Sequence, residues 1–173
     1  MTTIFKRIIP HSAVSIHAYI YGNYHAFSAK PVNLLNELKQ EAIDTLNVPS
    51  NIIINIPKKD ITINFDHEKI LIVFVNIILN AIQSIDKIDG HISIDMHETS
   101  SDVILEFENS GPNISSKDLK HLFDTLFTTK LEGTGLGLSS CKNIVEQHDG
   151  TITAKTNPVI FSIKLPKSGF KKN

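Results

Sequence analysis

Asn76 and Asn80 stand four residues apart in an apolar run, ILIVFVNIILNAIQSI, at 70–85. On a helix that spacing puts both amides on one face, within reach of one site. An amide oxygen is a hard, neutral ligand of the kind Mg²⁺ accepts beside waters and phosphate oxygens. The same two amides also suit a humbler use, bonding nearby backbone at a solvated edge. Further along, Gly133, Gly135 and Gly137 alternate with Thr134, Leu136 and Leu138. Glycines so placed bring backbone close to a ligand and offer N–H groups at a helix N-terminus, where phosphate is favoured. A flexible hinge would use the same residues. The run is not the dinucleotide fingerprint, because no strand leads directly into it and no acidic residue follows at the required distance. A third cluster, Asn109-Ser110-Gly111-Pro112-Asn113-Ile114, makes a sharp turn after a predicted strand. Asn109 offers a donor and an acceptor suited to a heterocycle edge, and Gly111 leaves room for a flat ring.

The elements that must hold these groups follow from patterning. Pro31 opens a helical stretch with apolar Leu34, Leu35, Leu38, Ala42, Ile43 and Leu46 on one face. The β-branched runs at 51–56 and 60–65 read as short strands. Asp66 is an N-cap for the long apolar helix carrying the two asparagines. Alternating runs at 91–98 and 102–108 predict two more strands, and a loop with one short helix at 116–123 fills 110–134. A second long helix is expected from about Leu136 to His148, then a terminal strand pair. The predicted class is α+β, a two-layer sandwich of a mainly antiparallel mixed sheet with helices on one face.

The chain has 173 residues, 17 Lys+Arg against 18 Asp+Glu, and one cysteine. That length suits one domain with its own core. Near-zero net charge disfavours a nucleic-acid partner, the apolar run at 70–85 is short for a membrane span, and a lone cysteine fits a reducing, cytoplasmic setting. Residues 1–29 hold three Tyr and three His and read as a lead-in, residues 30–166 as the working domain, and 167–173 as a basic, solvated tail. Cys141 has no evident base near it and reads as a small core hydrophobe.

NIILNAIQSI, ENSGPNI, LFDTLFTTK and GTGLGLSSCKNIVEQHDGTI, in that order, resemble the N box, first glycine box, F box and second glycine box of one ATP-binding fold. Sensor histidine kinases, type II topoisomerases, mismatch-repair ATPases and heat-shock chaperones share that fold, and the chain looks most like the catalytic domain of the histidine kinases. The resemblance implies ATP and Mg²⁺ as cofactors, with Asn80 as the metal ligand and Asn76 its neighbour in the pocket. Asn109, Gly111 and Ile114 fall at the base, Phe127, Thr129 and Lys130 in a lid over the phosphates, and Gly133, Gly135, Leu136, Gly137 and Leu138 in the phosphate turn. Lys130 would meet terminal phosphate charge, making it and Asn76 the expected catalytic positions. Asn109 stands where the family usually has an aspartate, Asn113 where it has a second glycine, and Thr125 where it often has proline.

The branches of the superfamily that hydrolyse ATP resemble one another in a glutamate one turn before the metal asparagine. Asn76 has no useful basicity there, so the resemblance implies transfer of the γ-phosphoryl group to a histidine on a separate dimerisation domain, then to a response regulator. His67-Glu68, His97-Glu98 and His148-Asp149 match the acceptor motif but fall inside the nucleotide-binding body. His11, His17 and His25 lie upstream without a following acid. A regulatory nucleotide-binding module with no kinase activity of its own is the alternative reading.

Overall fold

The computed structural model describes residues 28–44, 46–86, 88–130 and 133–169. The expected lead-in, His11, His17, His25, Lys171 and Lys172 lie outside them, apart from Ser28 and Ala29. Chain order is β1 (Ala29–Asn33), α1 (Leu34–Glu37, continued by π-type turns over Leu38–Ile43), β2 (Ile52–Asn55), β3 (Thr62–Asp66) and α2 (His67–Ile85). There follow β4 (Gly90–Glu98), β5 (Asp102–Asn109), α3 (Ser116–Leu119), α4 (Gly137–Gln147), β6 (Thr151–Lys155) and β7 (Val159–Pro166).

Five strands form the main sheet in the order β2-β4-β5-β7-β6, with β2 parallel to β4 and every other pair antiparallel. The alternation read at 102–108 reflects one buried face, Val103, Leu105 and Phe107, opposite a partly wet one. Ile92, Ile94, Phe161, Ile163 and Leu165 extend that buried face, and α2 covers it with α4 alongside. The fold is the predicted α+β sandwich.

Three local expectations are corrected. Residues 29–33 form a strand rather than the start of a helix, pairing antiparallel with β3 in a separate two-stranded sheet. Pro31, which has no N–H to give, sits in this edge strand, and the helix begins only at Leu34. Its first turn is capped from a distance, as Asp60 accepts from the backbone N–H of Leu35 (2.8 Å) and Asn36 (3.0 Å). The helix expected at 116–123 ends at Leu119 and gives way to turns. Lys167 is not a solvated end: its N–H donates to Ser101 O (2.8 Å) and its ammonium pairs with Glu98 at 3.0 Å.

α2 is long and apolar enough to cross a membrane by length and composition, but most of it is buried inside this molecule, so it is the core helix. Asp66 caps it as expected, accepting from Lys69 N at 3.2 Å. Its own N–H donates to Nε2 of fully buried His148, whose Nδ1 donates to Ile144 O at 2.7 Å. One imidazole therefore ties the start of α2 to the end of α4, and burial, the largest influence, holds its pKa below 6.5.

Candidate functional site

Asn76, Asn80 and Ser84 recur every four residues along α2, about 6 Å apart per step. Each meets a different element. Asn76 donates from Nδ2 to Ile72 O (2.9 Å), which turns its oxygen toward the start of α4, where a Cβ on Gly137 would come within 2.9 Å of it. Asn80 Oδ1 accepts from Lys130 Nζ at 2.8 Å. Ser84 Oγ lies 3.3 Å from Asn109 Oδ1 at the end of β5. The stripe thus runs from a helix N-terminus, past a lysine, to a buried amide.

The connection from β5 to α4 is pinned at intervals. Ile114 N–H donates to Thr156 Oγ1 (3.1 Å), and Ser115 caps α3 by accepting from Asp118 N (3.1 Å). Phe123 stands edge-on to Phe161, with centroids 6.5 Å apart, and Phe127 lies 6.0 Å from the His121 ring. Leu126 takes a left-handed φ of 67° and donates to Gly135 O at 2.9 Å, while Gly135 also has a positive φ, 66°. A Cβ on Gly135 would fall 2.3 Å from the Leu126 carbonyl carbon, so glycine is required there. Leu126 is 69% exposed, and the aromatic rings anchor the loop.

Lys130 reaches back from this loop and donates to Gln83 Oε1 (2.6 Å) as well as to Asn80. The residue as a whole is exposed, yet protein around its ammonium removes enough water to lower its pKa from 10.5 to about 8. α4 opens at Gly137 with no side-chain cap on Leu136 and no acidic residue in its first turn. Its leading N–H groups are left for an anion.

These parts enclose a cavity of about 320 Å³. Of the residues singled out by the sequence, Asn76, Asn80, Asn109, Ile114, Phe127, Thr129, Lys130, Gly133, Gly135, Gly137 and Leu138 line it. Gly111 and Leu136 do not: Gly111 stands behind the wall, its N–H donating to Asn109 Oδ1 (3.0 Å), and Leu136 only leads into α4. The sequence reading missed Gln83, Ser84, Leu122 and Phe161, which also line it. Ser84 could have been found by continuing the four-residue stripe; Phe161 could not, since it arrives from the last strand. Among the described residues no three His, Cys, Asp or Glu side chains cluster. A metal held here would take amide oxygen from the protein and the rest of its shell from its ligand.

Residues 65–169 match the family model described as histidine kinase-, DNA gyrase B-, and HSP90-like ATPase. The chain belongs to this family. It is 40% identical over 108 residues to sensor histidine kinase ZraS of Salmonella typhimurium, an alignment covering 60% of this chain and 23% of that protein. Sporulation kinase C of Bacillus subtilis is 32% identical over 141 residues, 76% of this chain and 33% of that one. The chain therefore spans a third or less of the length of these relatives. Among solved structures, the catalytic domain of histidine kinase ThkA superposes with a TM-score of 0.69 at 31% identity, covering 83% of this chain and 99% of that domain. ThkA has also been solved in complex with the response regulator protein TrrA, a match with a TM-score of 0.66 at 27% identity that covers 89% of this chain and 47% of that one. The portion matched in these relatives is the one solved separately in ThkA as its catalytic domain.

The histidines that mimic an acceptor motif are all engaged in the body of the domain. His67 faces Glu41 at 3.5 Å, His97 faces Glu106 at 3.6 Å, and His148 is sealed in the core. Cys141 is buried with its thiol pKa pushed up by desolvation, as expected of an inert core residue.

Proposed function

We propose that the cavity binds Mg·ATP and presents its γ-phosphate to a histidine on a separate dimerisation domain, in a protein that then serves a response regulator in the cytoplasm. The observation carrying this reading is the ordered stripe on α2, which runs from uncapped α4 N–H groups and a lysine to a buried amide. A nucleoside triphosphate has the matching order, anionic at one end and flat and aromatic at the other. Gly133, Gly135, Gly137 and Leu138 would hold phosphates on backbone N–H groups, and Lys130 and Thr129 would close over them. Asn80 is suited to a divalent cation, because its oxygen already accepts from a cationic ammonium. Bound there, the ion would neutralise phosphate charge during transfer. Asn76 has its amide nitrogen tied to Ile72 O and bears no basic group, so it orients and does not activate water. Ile114, Leu122, Val159 and Phe161 would face the base.

The test is incubation of the chain with γ-labelled ATP, alone and with the dimerisation domain of its own kinase. Little acid-labile label and little phosphate release are expected from the chain alone, with label appearing on the added domain. Rapid phosphate release without label would refute transfer to histidine.

A further inference from the structure

Asn109 is 5% exposed and lines the cavity at the end of the α2 stripe remote from Gly137. Its orientation is set by the backbone. Gly111 N–H needs an acceptor, and only the amide oxygen can serve, so Oδ1 faces Gly111 at 3.0 Å with Ser84 Oγ at 3.3 Å beside it. What is left is Nδ2, which can only donate. Among the described residues Ser140 Oγ alone is a sealed side-chain polar atom without a partner, and Nδ2 has no protein partner, so it is open to the cavity. Turning the amide over would set Nδ2 against Gly111 N–H, donor against donor.

The surroundings say what kind of group meets this donor. Ile114, Leu122, Val159 and Phe161 give this end apolar walls fit for a flat ring, while the charged side chains lining the cavity are Lys130, held midway along the stripe at Asn80, and Asp118 on α3. With the base at this end, as proposed above, a purine that sets its six-membered edge toward Asn109 brings carbon 6 to the free donor. At carbon 6 adenine carries an amino group, a donor, beside the acceptor N1; a 6-oxopurine carries a carbonyl, an acceptor, beside the donor N1–H, so a donor set opposite carbon 6 finds its match only in the 6-oxopurine. A buried donor facing a donor leaves both unsatisfied, whereas donor and carbonyl satisfy each other.

We infer that Asn109 removes the preference for a 6-amino purine, so that this site takes 6-oxopurine nucleoside triphosphates at least as tightly as ATP. The inference rests on the nucleotide reading of the cavity and deepens it. It assigns Asn109 as a specificity-determining residue of the base site.

The experiment is a competition titration of the whole chain with ATP, inosine triphosphate and purine riboside triphosphate, which lacks any group at carbon 6. Inosine triphosphate should bind as tightly as ATP or more so, and deleting the amino group should cost less than about twofold. Asn109→Asp, which replaces the donor by an acceptor, should bring ATP ahead of inosine triphosphate by about tenfold. ATP bound about fivefold or more tighter than both analogues by the unaltered chain would overturn the inference while leaving the nucleotide site standing. The same ranking in Asn109→Asp as in the unaltered chain would also overturn it. Binding of no triphosphate at all would overturn the reading of the cavity and this inference with it. Should Asn109→Asp fail to fold, the ranking of the three nucleotides by the unaltered chain decides alone.

Discussion

Gly135→Ala tests whether the loop over the cavity is held as a unit. The new Cβ would lie 2.3 Å from the Leu126 carbonyl carbon and 2.6 Å from its oxygen, about 1 Å short of ordinary contact. Both atoms are backbone, so no side-chain rotation relieves the overlap and the two segments must part. Parting them by about 1 Å takes the Leu126 N to Gly135 O bond from 2.9 Å beyond hydrogen-bonding range. Losing that bond costs about 0.5–1.5 kcal/mol. Keeping alanine at a φ of 66° costs about 1–2 kcal/mol more. The loss falls on the closed loop, so about 1.5–3.5 kcal/mol becomes a roughly 10- to 400-fold weaker apparent affinity for nucleotide. The global melting temperature should move little, since Leu126 is exposed and outside the core. Titration with a fluorescent ATP analogue, beside hydrogen exchange over 124–135, reads both quantities. Affinity within about twofold of the unaltered chain would refute the reasoning, because the overlap admits no cheaper escape.

Asn80→Ala should weaken nucleotide binding more than about tenfold with Mg²⁺ and much less without it, at unchanged far-ultraviolet circular dichroism; equal loss in both conditions would show that Asn80 serves packing rather than the metal. Hydrogen exchange over 116–130 should slow when Mg·ATP is added, as Lys130 exchanges Asn80 and Gln83 for phosphate, and an unchanged rate would mean that this segment takes no part in binding. Burial holds His148 below its ordinary pKa of 6.5, so as pH falls under that value the unfolded chain takes a proton that the folded chain refuses. Stability should therefore be level above about pH 6.5 and decline below it, a slope that His148→Gln should reduce in thermal melts; an identical slope in the variant would assign the effect elsewhere.

What could be read from the sequence divides along physical lines. Elements whose evidence is local were legible: the cap at Asp66, the alternation in β5, the apolar face of α2 and the glycine run before α4 each depend on neighbours a few residues away. The strand at 29–33 was not, because Pro31 reads as a helix opener until its partner β3, some 30 residues on, is known to lie beside it. The same division runs through the site. Asn76 and Asn80 announce themselves by spacing, and the glycines by repetition. Gln83 carries no signal until Lys130 arrives from a loop 47 residues later to donate to it.

The α2 stripe shows how far a local pattern can carry. Asn76 and Asn80 were paired by a four-residue step, and one more step reaches Ser84, which meets Asn109. Those three positions measure about 12 Å along the helix axis and meet, in turn, α4, the covering loop and the end of β5. A single buried helix therefore acts as the ruler against which three separately folded segments are aligned. Its rigidity comes from burial on nearly every side, from Ile70 through Ile78. The covering loop, by contrast, is held by two rings, a few hydrogen bonds and one glycine-dependent crossing. The Asn109 side of the cavity is thus built on the core and the covering loop on contacts of about one or two kcal/mol each, so that, in the proposed reading, the loop is the side able to open for a nucleotide.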